Sequence, residues 1–349
     1  MVAVGAVALV SAALLSRCSD EGTRGVVPVS PTPTKQVDFP RERALRALQA
    51  RARNNAPAPP TPSSIGRDRL SRAMSSPGKN GAVMIEVNAL RHSPLVEAVL
   101  ECRKAQRTDD ANGLELLKEE FGIDITQDVD RVGIDSEVLG VSGFFAKLQL
   151  PEGLGEGTAY GDAARVYSIT TDDEKPAFMA KVGDDLILTS TDESQIKAAV
   201  DRAEGRADAP PSFPEGIVGG EIYGLIGPEL IKSVLGVGDN EQFKPFLDML
   251  TTSALRVAVD DDAAVSLDIG ARSADDARQL SRALNGAIAG ARADARSSGN
   301  LELAALLEQA RVAAEDDGTI AVDIAVPGAD LLRILGCPVK GAPSTTTSP

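Results

Sequence analysis

Short apolar runs set the rhythm of this chain, and their order comes twice. Ala82-Val83-Met84-Ile85-Glu86-Val87 reads as a strand. Ser93 and Pro94 then open a helix, LVEAVLECRKA, with a cap residue ahead of a proline in the first turn. A second helix is predicted over 114–121, stopping at Gly122. A hairpin-like pair follows at 131–134 and 137–145. Further strands are predicted at 164–169, 177–182 and 186–190, with Gly183-Asp184-Asp185 as the last turn. Asp192-Glu193-Ser194-Gln195 has the pattern of a capping box before a helix over 196–203.

The second half restates this. Residues 222–226 read as the strand and 228–235 as the helix. Strands at 255–259 and 264–270 flank Asp260-Asp261-Asp262. Two helices are predicted over 274–296 and 301–314, with Ser273 and Asn300 as caps. A strand at 319–326 and a helix at 329–335 end the pattern.

Wording repeats along with order. Arg131-Val132-Gly133-Ile134-Asp135-Ser136-Glu137 returns 125 residues later as Arg256-Val257-Ala258-Val259-Asp260-Asp261-Asp262. Val83 to Leu100, ending SPLVEAVL, resembles Glu221 to Leu235, ending PELIKSVL. The chain therefore reads as two copies of one unit. Turns between strands are too short for crossover helices, which excludes a doubly wound parallel sheet. The expected fold class is α+β: an internally duplicated unit with antiparallel sheets and helices packed on one face. Unit 1 spans 81–208 and unit 2 spans 217–338, with a Pro-rich linker at 209–216. The linker predicts two separate cooperative domains. A tail with the composition of disorder occupies 339–349.

Charge divides the chain differently. The net charge is −15. Residues 1–80 carry +7, whereas residues 81–349 carry −22. An acidic body repels phosphate backbones, and the absence of Trp removes the strongest stacking side chain, so no nucleic-acid partner is expected. The acidic surface favours a cationic or protein partner. The lone histidine, His92, excludes most zinc sites and any two-histidine mechanism.

Val2 to Leu15 is an apolar run of signal-peptide length, short for a transmembrane helix. Residues 1–18 thus form a signal-like segment, and 19–80 a Pro-rich basic tether unable to build a core. Within the tether, a short helix capped by Asp38 presents Leu45 and Leu48 among arginines. Leu15-Ser16-Arg17-Cys18 resembles the bacterial lipobox, although Arg17 stands where that pattern has a small residue. The resemblance implies lipidation at Cys18, hence a membrane partner reached through the N-terminus. A cleaved secretory signal and an uncleaved anchor are the alternatives. Gly-Ile-Asp-Ile-Thr-Gln-Asp-Val-Asp-Arg-Val, 122–132, resembles a phrase of uncharacterised exported, lipoprotein-like proteins of proteobacteria, of the myxobacterial type. That resemblance implies an envelope location, in the periplasm or at an outer or cell membrane, and no residue roles.

Candidate chemistry is sparse. Asp124, Asp128 and Asp130 miss the spacing of a calcium loop and fit a turn that meets Arg131. Asp260, Asp261 and Asp262 are weak candidates for a surface cation site, against an ordinary turn role. Ser142 in Gly140-Val141-Ser142-Gly143-Phe144 lacks the second glycine of a nucleophile elbow, and His92 would have to serve as its base. The glycines at 153, 155, 157 and 161 lack the phosphate-loop spacing. Residues 227–233 approach a Walker A ending but place Ile231 at its glycine. Gly286 and Gly290, one turn apart, suit close helix packing. If the chain is exported, Cys102 and Cys337 are candidates for a disulfide, since each ends a unit's strand–helix element. The sequence by itself leans to two buried thiols acting as small apolar residues.

The expected function is a non-catalytic exported cell-envelope protein, a binding or scaffold module without cofactors. One alternative is an enzyme using an acidic divalent-cation site. Another is a lipid-binding body with a cavity between helices and sheet.

Overall fold

The computed structural model describes residues 69–74, 81–106, 122–150, 156–170, 176–208, 213, 217, 220–228 and 248–337. A short helix α1 (Arg69–Ala73) precedes strand β1 (Gly81–Glu86). Helices α2 (Val87–Arg91), α3 (Pro94–Gln106) and α4 (Ile125–Asp128) follow. The hairpin β2 (Val129–Asp135) and β3 (Leu139–Gly143) comes next, then β4 (Thr158–Tyr160) and β5 (Ala164–Thr170). Unit 1 closes with β6 (Pro176–Val182), β7 (Leu186–Ser190) and α5 (Glu193–Ala203). Unit 2 runs β8 (Ile222–Ile226), β9 (Leu250–Val259), β10 (Ala263–Ala271), α6 (Ala274–Ser297) and α7 (Leu301–Glu308). It closes with β11 (Arg311–Ala314), β12 (Thr319–Val326) and α8 (Gly328–Ile334).

The fold is α+β, and all its described strand pairs are antiparallel. The strands lie in the order β11-β12-β10-β9-β8-β1-β2-β3-β7-β6-β5-β4. Read outward from its centre, this order is a duplication. β1-β2-β3-β7-β6 on one side matches β8-β9-β10-β12-β11 on the other. Registers agree residue by residue: Arg131 faces Ser142 as Arg256 faces Ser266, and Gly133 faces Gly140 as Ala258 faces Ala264. Ile85 faces Val132 as Ile222 faces Val257, so Ile85 and Ile222 are equivalent positions. They also face each other, which puts a local two-fold axis between them.

That pairing overturns the expectation of two separate domains. β1 and β8 share five register positions, from Gly81 opposite Ile226 to Ile85 opposite Ile222, and one sheet runs through both units. An edge strand leaves a row of backbone N–H and C=O groups unpaired. Each unit begins with such an edge, and each satisfies the other's. The linker does not stand apart either: Phe213 packs edge-on against Tyr223, with ring centroids 5.7 Å apart, and joins the unit 1 core.

Directly paired residues share a sheet face. One row can be followed through Val166, Ala180, Leu188, Gly140, Gly133, Met84, Tyr223, Arg256, Ser266, Asp323 and Arg311. On this front face the row is apolar across unit 1 and polar across unit 2, changing at the β1–β8 seam. α1 and α5 cover the apolar part, through Leu70, Ala73, Ile196, Ala199, Val200 and Ala203, all fully buried. Unit 2 places its own apolar core on the back: Ile269 and Ile320 belong to the opposite set and pack beneath Ala277 and Leu280 of α6. Each unit's core helices therefore cover one face of its own strands, as expected, and because the covered faces are opposite, helices occupy both faces of the shared sheet. Strand alternation within one unit does not say which faces two joined units present.

Two local expectations also change. The tether was expected to build no core, yet its described residues, 69–74, bury Leu70 of α1 and the following Met74 to 1% exposure. The predicted helix over 301–314 stops at Glu308, and Arg311–Ala314 pair with β12 instead. Gln-Ala-Arg-Val-Ala-Ala has helical propensity, but Val312 gains a place under α6 by turning into an edge strand. The caps Ser273 and Asn300 sit as expected, each accepting a backbone N–H of the first turn. Asp192 caps α5, while Gln195 bonds Ser190 and does not reach back to Asp192.

Candidate functional site

The polar half of the front face begins at the seam. Tyr223 donates from its hydroxyl to Glu86 Oε1 at 2.9 Å, and Arg131 faces Glu86 in the register. Burial raises the Glu86 carboxyl above its usual value; the Tyr223 hydrogen bond opposes this and Asp130 adds to it. Burial also pushes the Tyr223 phenol up, reinforced by the neighbouring carboxylate of Glu86. The Arg131 guanidinium is lowered by burial, with Tyr223 acting against that shift. Further along, Arg256 pairs with Asp268 at 2.5 Å and Ser266 Oγ donates to Asp323 Oδ1 at 2.8 Å. Ser266 and Asp323 are each only 3% exposed. Buried polar groups are costly unless paired, and here they are paired within the sheet.

Comparing the two units shows what changed on this face. Ser142 and Ser266 are equivalent, but Ser142 faces Leu186 where Ser266 faces Asp323. Ser142 Oγ is buried without a hydrogen-bond partner. The elbow reading of Ser142 gains nothing from this, because His92 ends α2 as its C-cap and no hydrogen bond joins the two among the described residues. Glu221, 1% exposed, immediately precedes β8; its Oε2 accepts the Val259 N–H at 2.6 Å. Sequence reasoning missed Glu86, Tyr223, Glu221, Asp268 and Asp323 because each stands singly among apolar residues. A signal existed in Ser-Leu-Asp and Val-Asp-Ile, where an acid interrupts a strand's apolar run.

The Asp260-Asp261-Asp262 turn holds helices. The Asp260 carbonyl accepts the Leu95 N–H at 3.0 Å and the Ser93 hydroxyl at 3.1 Å, fixing the start of α3. Asp262 Oδ1 accepts the Gly328 N–H at 2.8 Å, at the start of α8. A Cβ on Gly328 would overlap the Asp261 carbonyl oxygen, so only glycine allows this approach. Among the described residues no three His, Cys, Asp or Glu side chains gather as a metal set. Asp128 Oδ2 accepts the Asp124 N–H at 2.8 Å, so the 124–128 acids close a turn.

α3 and α8 meet again at the disulfide. Cys102 and Cys337 are bonded, with Cα atoms 5.6 Å apart and a sequence separation of 235. The turn grips the beginnings of both helices, and the disulfide ties Cys102 of α3 to Cys337 just beyond α8. Cys18 and the Leu45–Leu48 segment lie outside the described residues, as do 151–155, 229–247 and the tail from 338. Gly286 and Gly290 have open space at the Cβ position and make no close packing contact there. Among the described residues no helix is long and apolar enough to cross a membrane.

No family model and no curated protein matches the chain. Among solved structures it is similar to TP0453 in its crystal form I, at 14% identity and a TM-score of 0.40, over 75% of this chain and 94% of that one.

Proposed function

We propose that this is an exported, non-catalytic cell-envelope protein, a binding or scaffold module held at a membrane through Cys18. The observation that carries the reading is the bond between Cys102 and Cys337. Disulfides persist in oxidising compartments and are rare in reducing ones. Both cysteines are buried, so the bridge belongs to the packed body and is no surface accident. The non-catalytic part rests on the acids: Asp262, Glu221, Asp268 and Asp323 all serve helix starts or partners within the sheet. The −22 balance of residues 81–349 favours a cationic or protein partner. The N-terminal +7 would hold the tether near anionic headgroups.

Alkylation of the protein from intact cells, unfolded in denaturant without reduction so that buried thiols are reached, tests export. Cys102 and Cys337 should resist modification until reductant is added. Alkylation of both cysteines in the unfolded, unreduced protein would place it in a reducing compartment and remove the reading. Fractionation of cells carrying Cys18→Ser tests the anchor separately. The mutant should move to the soluble fraction. Equal recovery of wild type and mutant there would leave a cleaved signal or a cytoplasmic protein.

A further inference from the structure

We infer that α1 is a strap: the chain's own occupant of a helix-binding groove on the front face, which leaves and returns while the sheet stays folded. The inference does not depend on lipidation of Cys18.

The groove is built for an occupant. Its floor is Gly133 and Gly140, paired across β2 and β3. Unit 2 has Ala258 and Ala264 at these sheet positions. The difference matters at the ångström scale. A Cβ on Gly140 would stand 2.5 Å from Leu70 Cδ1 and 3.0 Å from Met74 Cε. One on Gly133 would stand 2.9 Å from Met74 Sδ. Missing methyl groups in unit 1 thus make the space that Leu70 of α1 and Met74, just beyond it, fill. One wall is α5, which shares the core of Leu70 and Met74 through Val200 and Ala203.

Polar clamps close both ends. Arg69 pairs with Asp185 at 2.7 Å. Arg72 Nη2 donates to the Ala203 carbonyl at 2.8 Å, and Arg202 Nη2 returns the bond to the Ala73 carbonyl at 2.6 Å. Each helix therefore has a last-turn carbonyl satisfied by the other's arginine.

The attachment of α1 suits release. Five residues cannot hold a helix alone, so its order comes from the groove. No backbone group of α1 takes part in strand pairing, so its departure breaks no sheet hydrogen bond. Residues 75–80 join it to β1 and include Pro77 and Gly78. The vacated groove would take a short helix with two apolar residues four apart, flanked by arginines.

Hydrogen exchange on the full chain tests this directly. The Met74 amide, bonded to the Leu70 carbonyl, should exchange at least about tenfold faster than the paired amides of β2 and β3, through local opening. Exchange of the Met74 amide together with those of β2 and β3 in one step would overturn the inference. A second arm uses the full chain with Leu70→Asp and Met74→Asp, which spoils the occupant and leaves the groove. A fluorescent peptide of residues 67–76 should bind this variant saturably and bind wild type at least about tenfold more weakly, since wild type fills its own groove. Failure of the variant to bind the peptide, or failure to fold, would make α1 an integral part of the core and end the idea.

Discussion

Tyr223 donates a hydrogen bond to Glu86 from the position that Glu86 itself occupies in the other unit. Arg131 faces Glu86 in β2, and Arg256 faces Tyr223 in β9, so the two registers equate the residues. A duplicated fold would place identical groups at these points. This one places an acceptor and a donor, and they meet diagonally across the seam. Two glutamates there would repel in a half-buried site.

The acid–phenol pair makes the seam sensitive to pH. Burial holds the Glu86 carboxyl above its ordinary 4.5. Above that value the unfolded chain has lost the proton that the folded chain still holds. Folding then takes up a proton, so stability contributed by this site falls as pH rises through the window from 4.5 to the raised value. Below the window the contribution is constant. Glu86→Gln keeps an acceptor for Tyr223 and abolishes ionisation, so it should gain on wild type in urea midpoint as pH rises from 4 to 7. A constant difference across that range would show that Glu86 titrates alike in the folded and unfolded chains, with no shift from burial. Tyr223→Phe leaves a buried acceptor unpaired and should cost about 1–3 kcal/mol.

Asp262 gives the acidic turn a different test. If its carboxylate serves the start of α8, Asp262→Ala loses a helix cap worth about 0.5–2 kcal/mol. Millimolar calcium or magnesium should then leave the Tm of wild type unchanged. A rise in Tm on adding either ion, lost in Asp262→Ala, would revive the cation site.

Sequence patterning captured the strands at 186–190, 222–226 and 319–326 to the residue, because alternation and turn residues mark their ends. The doubled phrase at Arg131 and Arg256 was enough to identify the duplication. It was not enough to place the units together, because β1 and β8 read as ordinary opening strands and nothing in Val83 or Gly224 names a partner. Helix α1 was missed because Leu70 and Met74 stand alone among arginines and serines; their burial is specified sixty residues later by Gly133 and Gly140. The polar row on unit 2 was hidden for a similar reason. Tyr223, Arg256, Ser266 and Asp323 come from four strands, and only the register aligns them.

The disulfide should matter for stability more than for shape. It closes a span of 235 residues, so breaking it releases a long loop in the unfolded chain. Cys102→Ser with Cys337→Ser should cost about 2–5 kcal/mol by urea unfolding. The turn at 260–262 still holds the starts of α3 and α8, so the double mutant should fold. Reduction of wild type should lower its midpoint to that of the mutant. An unchanged midpoint on reduction would mean that packing alone holds α3 against the end of unit 2.

Gly224 decides whether the two units unfold as one. It faces Val83 across the seam, and a Cβ there would overlap the Ala82 carbonyl oxygen and crowd the Val83 backbone at 2.7 Å. Backbone cannot yield as a side-chain tip can, so Gly224→Ala should push β1 and β8 apart and cost about 2–4 kcal/mol. The consequence distinguishes one cooperative sheet from two neighbours. If β1–β8 pairing couples the units, hydrogen exchange should speed up together in β2 and β3 on one side and β9 and β10 on the other. Loss of protection confined to β8 and β9, with β2 and β3 unchanged, would show that unit 1 stands without its neighbour. Coupling is the expected result, because separation would expose β1 as a six-residue edge with Val83 and Ile85, each under a tenth exposed in the intact sheet, opened to water.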